Sequence, residues 1–234
     1  MKKVILAFIM FFVMTSASLA DSNVYITQSG AALDLDITLD GNANAVGASN
    51  DRTLLTGANL DVDIDLIGAS NVITGDFIGA GESGQDDLKI NQTGSTNTTA
   101  LNVGSSASTD DVSIIENRVG SSGVTSYIIG STATVQDVSV TVDVVGDDID
   151  IALTENSSSS GSDKTTDIDI ATDSDDVDII VTHTGAGAHK TKLLCTGACG
   201  TSDFTFSQTG ANSTDVDLVV TNAAGSDVDI TITD

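Results

Sequence analysis

The chain has 234 residues, 34 of them acidic against 8 basic, for a formal net charge of −26. That balance excludes a nucleic-acid partner, because phosphate backbones are gripped by basic surfaces. No proline, no tryptophan, 3% aromatics and 22 glycines leave too few large side chains for a thick globular core, and favour a thin one built of aliphatic residues in layers.

At the start, Lys2 and Lys3 precede an apolar run from Val4 to Met14, and a small-residue stretch closes on Ser18-Leu19-Ala20. Residues 1–20 read as a secretory signal peptide. Its apolar part is too short to span a bilayer, and no later segment reaches the roughly 20 apolar residues of a membrane helix. No cysteine follows Ala20 for lipid attachment. The expectation is a secreted protein, extracellular or on the cell surface, with no membrane insertion after cleavage. Loss of two lysines leaves 6 minus 34, or −28, on residues 21–234. A charge of that size makes a compact chain repel itself, and points to cations or high ionic strength as a working condition.

Strands follow at once. Asp34-Leu35-Asp36-Ile37-Thr38-Leu39, Asp61-Val62-Asp63-Ile64-Asp65-Leu66, Asp87-Leu88-Lys89-Ile90-Asn91-Gln92 and Asp111-Val112-Ser113-Ile114 alternate with period two, which places the aliphatic residues on one face. The frame returns as Asp137-Val138-Ser139-Val140, Asp176-Val177-Asp178-Ile179, Asp203-Phe204-Thr205-Phe206, Asp215-Val216-Asp217-Leu218 and Asp227-Val228-Asp229-Ile230. Glycines closing these runs stand at Gly41, Gly68, Gly94, Gly120 and Gly146, spaced by 27, 26, 26 and 26. A second series, Gly30, Gly57, Gly81, Gly104 and Gly130, lies about half a period away. Each repeat therefore has two short strands and two corners, where glycine supplies positive φ and asparagine tolerates it.

The fold class that follows is all-β, a single β-solenoid (β-helix-like) with about 26 residues per coil. Residues 21–234 form about eight coils, a rod on the order of 40 Å long at ~4.8 Å per coil. One region breaks the rhythm. Residues 155–166 are serine-rich, and Gly185 lies 39 residues beyond Gly146, about one and a half periods, so a loop is expected near 155–166.

Three copies place glutamine on the inward frame two residues before a glycine: Gln28 with Gly30, Gln92 with Gly94, and Gln208 with Gly210. Asparagine follows at Asn97 and at Asn212, while Gly41 and Gly68 keep the glycine-to-asparagine half with Asn44 and Asn71. This pattern resembles the repeat of the curlin family, the bacterial functional-amyloid fibre subunits, in which Gln-x-Gly-x-x-Asn follows an alternating strand. Only Gln92, Gly94 and Asn97 match it in full, Gly210 and Asn212 stand one residue too close, and curlin repeats are shorter. The resemblance implies self-association into fibres, or with homologous fibre subunits, in surface adhesion or a biofilm matrix. Inward glutamines and corner asparagines in successive coils can form amide ladders, or can satisfy the local turn backbone.

Other constellations are weaker. Asp61, Asp63 and Asp65 share the outward face, and carboxylates ~5 Å apart repel by about 1 kcal/mol in water, which Ca²⁺ would relieve. The pleat alone also dictates that spacing, and no calcium-binding nonapeptide is present, so a weak calcium site there is one alternative to a solvated acidic face. Cys195 and Cys199, the two cysteines of a secreted chain, suit a small disulfide across one corner. His183 and His189 are expected as free surface histidines. No nucleophile motif is present, so no enzyme activity is expected. Two other roles fit a solenoid: a phage or cell-surface appendage that binds polysaccharide, and a polysaccharide-degrading β-helix enzyme. The second is weakened because only Arg52, Lys89, Arg118, Lys164, Lys190 and Lys192 remain to meet an acidic sugar.

Overall fold

A computed structural model describes residues 21–30, 32–47, 53–57, 59–79, 86–104, 112–130, 137–156, 163–172, 176–197, 199, 202–210, 213–221 and 225–233. Residues 1–20, expected above to be a signal peptide, Asn212 and residues 157–162 lie outside them. The first strands are β1 (Ser22–Val24), β2 (Thr27–Ser29), β3 (Leu33–Asp40), β4 (Ala43–Val46), β5 (Thr53–Gly57) and β6 (Leu60–Ile67). β7 (Ser70–Gly79), β8 (Asp86–Thr93), β9 (Thr96–Val103), β10 (Val112–Ile129) and β11 (Val138–Asn156) follow. The chain closes with β12 (Lys164–Thr172), β13 (Val177–Thr184), β14 (Ala188–Gly197), β15 (Asp203–Thr209), β16 (Ser213–Val220) and β17 (Asp227–Thr233). Among the described residues no helix is long and apolar enough to cross a membrane.

All neighbouring strands pair in parallel, which is how a coil repeats itself one period later. In the first stack β3, β6, β8, the first half of β10, the first half of β11, β12, β14 and β16 lie one on the next. In the second stack β1 with β2 is followed by β4 with β5, β7, β9, the second halves of β10 and β11, β13, β15 and β17. Leu35, Val62 and Leu88 are vertical neighbours, as are Ile37, Ile64 and Ile90. Each aliphatic column faces its counterpart across the core, so Ile64, Ile90, Ile114 and Val140 are sealed from water.

The two glycine series differ in their reason. At Gly104, Gly130 and Gly210 φ is +61°, +70° and +77°, which only glycine adopts without strain. Gly68, Gly94 and Gly120 have no such φ. A Cβ built on Gly94 would stand 1.9 Å from the Gly68 carbonyl oxygen, and one on Gly68 or Gly120 would stand 2.0 Å from that of Gly41 or Gly94. These corners stack backbone on backbone, and closeness, not turn conformation, selects glycine there.

The expected loop near 155–166 is shorter than its serine content suggests. Glu155 and Asn156 complete β11, and Lys164 to Thr166 open β12, with Val138 paired to Lys164 at the usual 26-residue offset. The step of 39 residues from Gly146 to Gly185 is a change of corner: Gly185 follows β13 of the second stack. The strands led by Asp176, Asp203 and Asp227 accordingly stand in the second stack, half a coil out of phase with those led by Asp34, Asp61 and Asp87.

Candidate functional site

Asn44, Asn71 and Asn97 open their strands of the second stack pointing inward, all buried. Asn44 Nδ2 donates to Asn71 Oδ1 at 3.0 Å, and Asn71 Nδ2 donates to Asn97 Oδ1 at 2.9 Å. Asn44, Asn71 and Asn97 Nδ2 also donate to the carbonyls of Ile67, Thr93 and Val119 at 2.9, 3.1 and 3.2 Å, respectively. Each amide thus serves both the ladder and the corner backbone of the neighbouring coil. On the next rung Gly123 takes the asparagine's place, and the Arg118 guanidinium fills the space, its Cζ 2.6 Å from where a Cβ would be.

The glutamines form no ladder. Gln92 stands in the first stack between Leu66 and Arg118, whereas Gln28 and Gln208 stand in the second, beside Leu55 and beside His183 and Ile232. Gln92 and Gln208 are buried and Gln28 is exposed on the outermost strand. Gln92 instead donates to the Thr98 carbonyl at 3.4 Å, and Gln208 donates to Thr191 Oγ1 at 3.0 Å.

Two polar clusters sit inside the core. In the first, Glu116 accepts from Thr99, Thr125 and the Tyr127 hydroxyl, each at 2.9 Å, while Arg118 Nη1 donates to Thr125 Oγ1 at 2.7 Å. Burial lowers the Arg118 pKa, and burial beside Glu116 raises that of Tyr127 well above its ordinary value. In the second, His183 Nε2 lies 3.1 Å from Glu155 Oε2 and 3.1 Å from Thr166 Oγ1. His189 meets His183 edge-on at 5.4 Å between ring centroids. Burial pushes the Glu155 carboxyl up to about 8 and the His183 imidazole down to about 3. Glu155 and His183 together therefore stay neutral across that span. His183 and His189 are both fully buried, not the surface histidines expected, because each occupies the inward frame, His183 in line with Val177, Ile179 and Val181. The alternation itself carried the signal for Glu116, Arg118 and Glu155, which continue the inward rows of Val112 and Ile114, and of Ile149, Ile151 and Leu153.

No protein-family model matches this chain, and no curated protein or solved structure matches it either.

On the outside, Asp34, Asp61 and Asp87 form one column and Asp150, Asp178, Asp203 and Asp227 another. Burial, then Asp34, Asp63, Asp87 and Asp36, raises the Asp61 pKa. Asp63 instead meets Lys89 Nζ at 3.9 Å, and Asp65 accepts from Asn91. Among the described residues no three His, Cys, Asp or Glu side chains are arranged to hold a metal, Asp61, Asp63 and Asp65 included. Cys195 and Cys199 are joined by a disulfide, both buried.

The ends of the rod differ from its middle. Val228, Ile230 and Ile232 face inward on β17 but are 42, 48 and 51% exposed, since among the described residues no strand covers them. At the other end Val24, Ile26, Leu33 and Leu35 are only partly buried. Among the described residues β17 pairs with β15 alone, and β3 with β6 alone, each on one edge.

Proposed function

We propose that residues 21–234 are the unit of an extracellular fibre, a curlin-like structural and adhesive protein of the cell surface or biofilm matrix, with no catalytic role. The open last coil carries this reading. Ile230 and Ile232 occupy positions that on every inner rung are covered from both sides, and among the described residues no strand pairs with the outer edge of β17. Such an edge templates another strand unless it is blocked by charge, proline or a cap. β17 has neither proline nor an inward charge. A second copy, or a homologous subunit, stacked there repeats the contact already made at each rung, and covers three half-exposed aliphatic side chains at roughly 1 kcal/mol each.

A non-enzymatic role agrees with the side chains best suited to proton chemistry, Glu116, Glu155 and His183, which have no exposure and no route for a substrate. The test is assembly of the 21–234 protein, followed by thioflavin fluorescence and electron microscopy over a range of salt. Fibres are expected from the unmodified chain, and none from a variant carrying Ile230→Asp and Ile232→Asp, which places charges on the open face while leaving the inner coils folded by circular dichroism. A wild-type chain that stays monomeric at every salt concentration, with or without calcium, refutes the reading.

A further inference from the structure

One outer face of the rod carries almost no charge. The second-stack strands β7, β9 and β10 set Val72, Thr98 and Val124 in one outward column and Thr74, Ala100 and Ser126 in the next, all of them half-buried or exposed. Asp76 is the single charged side chain that points outward from residues 70–77, 96–103 and 122–129, and it stands at the edge, where Asn102 Nδ2 donates to it at 2.7 Å. The other outer face of the same coils carries Asp61, Asp63, Asp65, Asp87 and Lys89. One rung further along the second stack, at Asp148 and Asp150, the acidic surface resumes. The chain has 34 acidic residues, so a face this neutral departs from its own composition.

Behind this face the core is polar and cross-braced. Asn71 Nδ2 donates to Asn97 Oδ1 at the head of β7 and β9, and Glu116 accepts from Thr99 of β9 and from Thr125 and Tyr127 of β10, tying those two strands together. Directional bonds of this kind fix the level of each rung. The outward side chains are therefore held as an ordered array that loses little freedom when it is covered.

We infer that this face is an interface that packs sideways against the same face of a second copy, two rods lying sheet against sheet. It goes beyond the end-to-end contact proposed above and does not require it. Charge selects the occupant. Two chains of this acidity repel wherever carboxylates meet, and self-pairing through β7, β9 and β10 keeps nearly all of them out of the contact. A basic partner is drawn instead to the aspartate columns. A sugar chain also suits a flat neutral surface, but none of these outward side chains is aromatic, which leaves no ring for a sugar to stack on. The columns present β-branched methyls and small hydroxyls, which interdigitate between sheets about 10 Å apart. Three rungs at ~4.8 Å and eight residues at ~3.3 Å give a footprint of roughly 14 Å by 26 Å, about 400 Å² on each copy and about 800 Å² for a pair. Stable complexes bury ~1,200 Å² or more, so an isolated pair is weak and gains strength where the contact recurs along aligned rods.

The end-blocked chain, residues 21–234 with Ile230→Asp and Ile232→Asp, separates the sideways contact from the end-to-end one. By sedimentation equilibrium its mass is expected to rise with concentration from monomer toward dimer. The rise is expected to be stronger in about 1 M than in about 0.01 M sodium chloride, since salt screens the flanking carboxylates and leaves apolar packing in place. Adding Val72→Asp and Val124→Asp is expected to weaken association at least about tenfold, whereas Lys89→Asp, the same change in net charge on the other face, shifts it less than about twofold. Should the charged variants fail to fold by circular dichroism, a second readout decides. With the native disulfide kept, Ala100→Cys on the end-blocked chain is expected to be linked into dimers by a short bismaleimide, because a residue near the two-fold axis of a self-pairing meets its own copy, and Lys89→Cys is not. A chain that stays monomeric, or that links equally from both positions, overturns the sideways interface and leaves the fibre reading as it stands. Dimers of the end-blocked chain without fibres from the unblocked one overturn the fibre reading alone. Retention of a monomer on an insoluble neutral glucan, lost with Val124→Asp, would assign the face to polysaccharide and overturn the self-pairing.

Discussion

Glu155 shows what one inward position can demand of the whole. Its carboxyl is sealed beside His183 and keeps its proton up to about 8, whereas the same group in the unfolded chain ionises near 4.5. Between those values the unfolded state has released a proton that the folded state still holds, so stability falls as pH rises. His183 works in the other direction: neutral when folded down to about 3, it takes a proton near 6.5 when unfolded, so stability falls as pH drops below that point. The two together place the optimum between about 4.5 and 6.5. Glu155→Gln keeps the shape and cannot ionise. Its melting temperature is expected to lose the decline between about pH 6.5 and pH 8 that the wild type shows, a difference on the order of a few kcal/mol in unfolding free energy at pH 8. A parallel decline in both proteins would mean that Glu155 is ionised in the folded state.

Within a coil, the corner decides how closely strands stack. Gly94 takes the Gly68 carbonyl where any side chain would begin, so Gly94→Ala must push two coils apart or twist the corner. The expected loss is about 2 to 4 kcal/mol by denaturant unfolding, larger than for Gly104→Ala, where only the φ of +61° resists at about 1 kcal/mol. An unchanged midpoint for Gly94→Ala would mean that the glycine column is not in contact. The 26-residue glycine spacing and the alternation around Leu35, Val62 and Leu88 made these strands and their parallel stacking legible in the sequence, because a pleat and a repeat leave periodic marks. What stacks beside what was less so. Gln28, Gln92 and Gln208 share a motif yet stand in different stacks, since the motif marks a local corner and not a level in the rod. The three-membered asparagine ladder was legible from Gly-x-x-Asn, but its end at Gly123 depends on Arg118, five positions earlier in β10, folding its guanidinium into the corner, a side-chain placement that the motif does not encode. His183 and His189 read as surface residues by polarity alone, whereas the alternating frame in which they sit places them inside.

Across the whole molecule, charge is the one term that opposes every layer at once. Residues 21–234 carry 34 acidic side chains against 6 basic, and the parallel register lines several of them up, Asp150 over Asp178 over Asp203 over Asp227. Burial first, then neighbouring carboxylates, raises the pKa of Asp61 and Asp150. A carboxyl with a raised folded pKa helps stability below its ordinary pKa and loses that help as pH rises through the raised value, so at neutral pH these columns only subtract. Screening is then the remaining relief. With a Debye length of about 30 Å at 0.01 M salt and about 3 Å at 1 M, repulsion along the rod is nearly unscreened in the first case and reduced to adjacent rungs in the second. The melting temperature is expected to rise on the order of 5 to 10 °C between those salt concentrations at pH 7. Calcium chloride at matched ionic strength should do about the same as sodium chloride, because no three ligating side chains converge among the described residues. A rise produced by micromolar calcium would instead require a specific site, and Asp61 with its neighbours Asp34 and Asp87 would be the place to look for it.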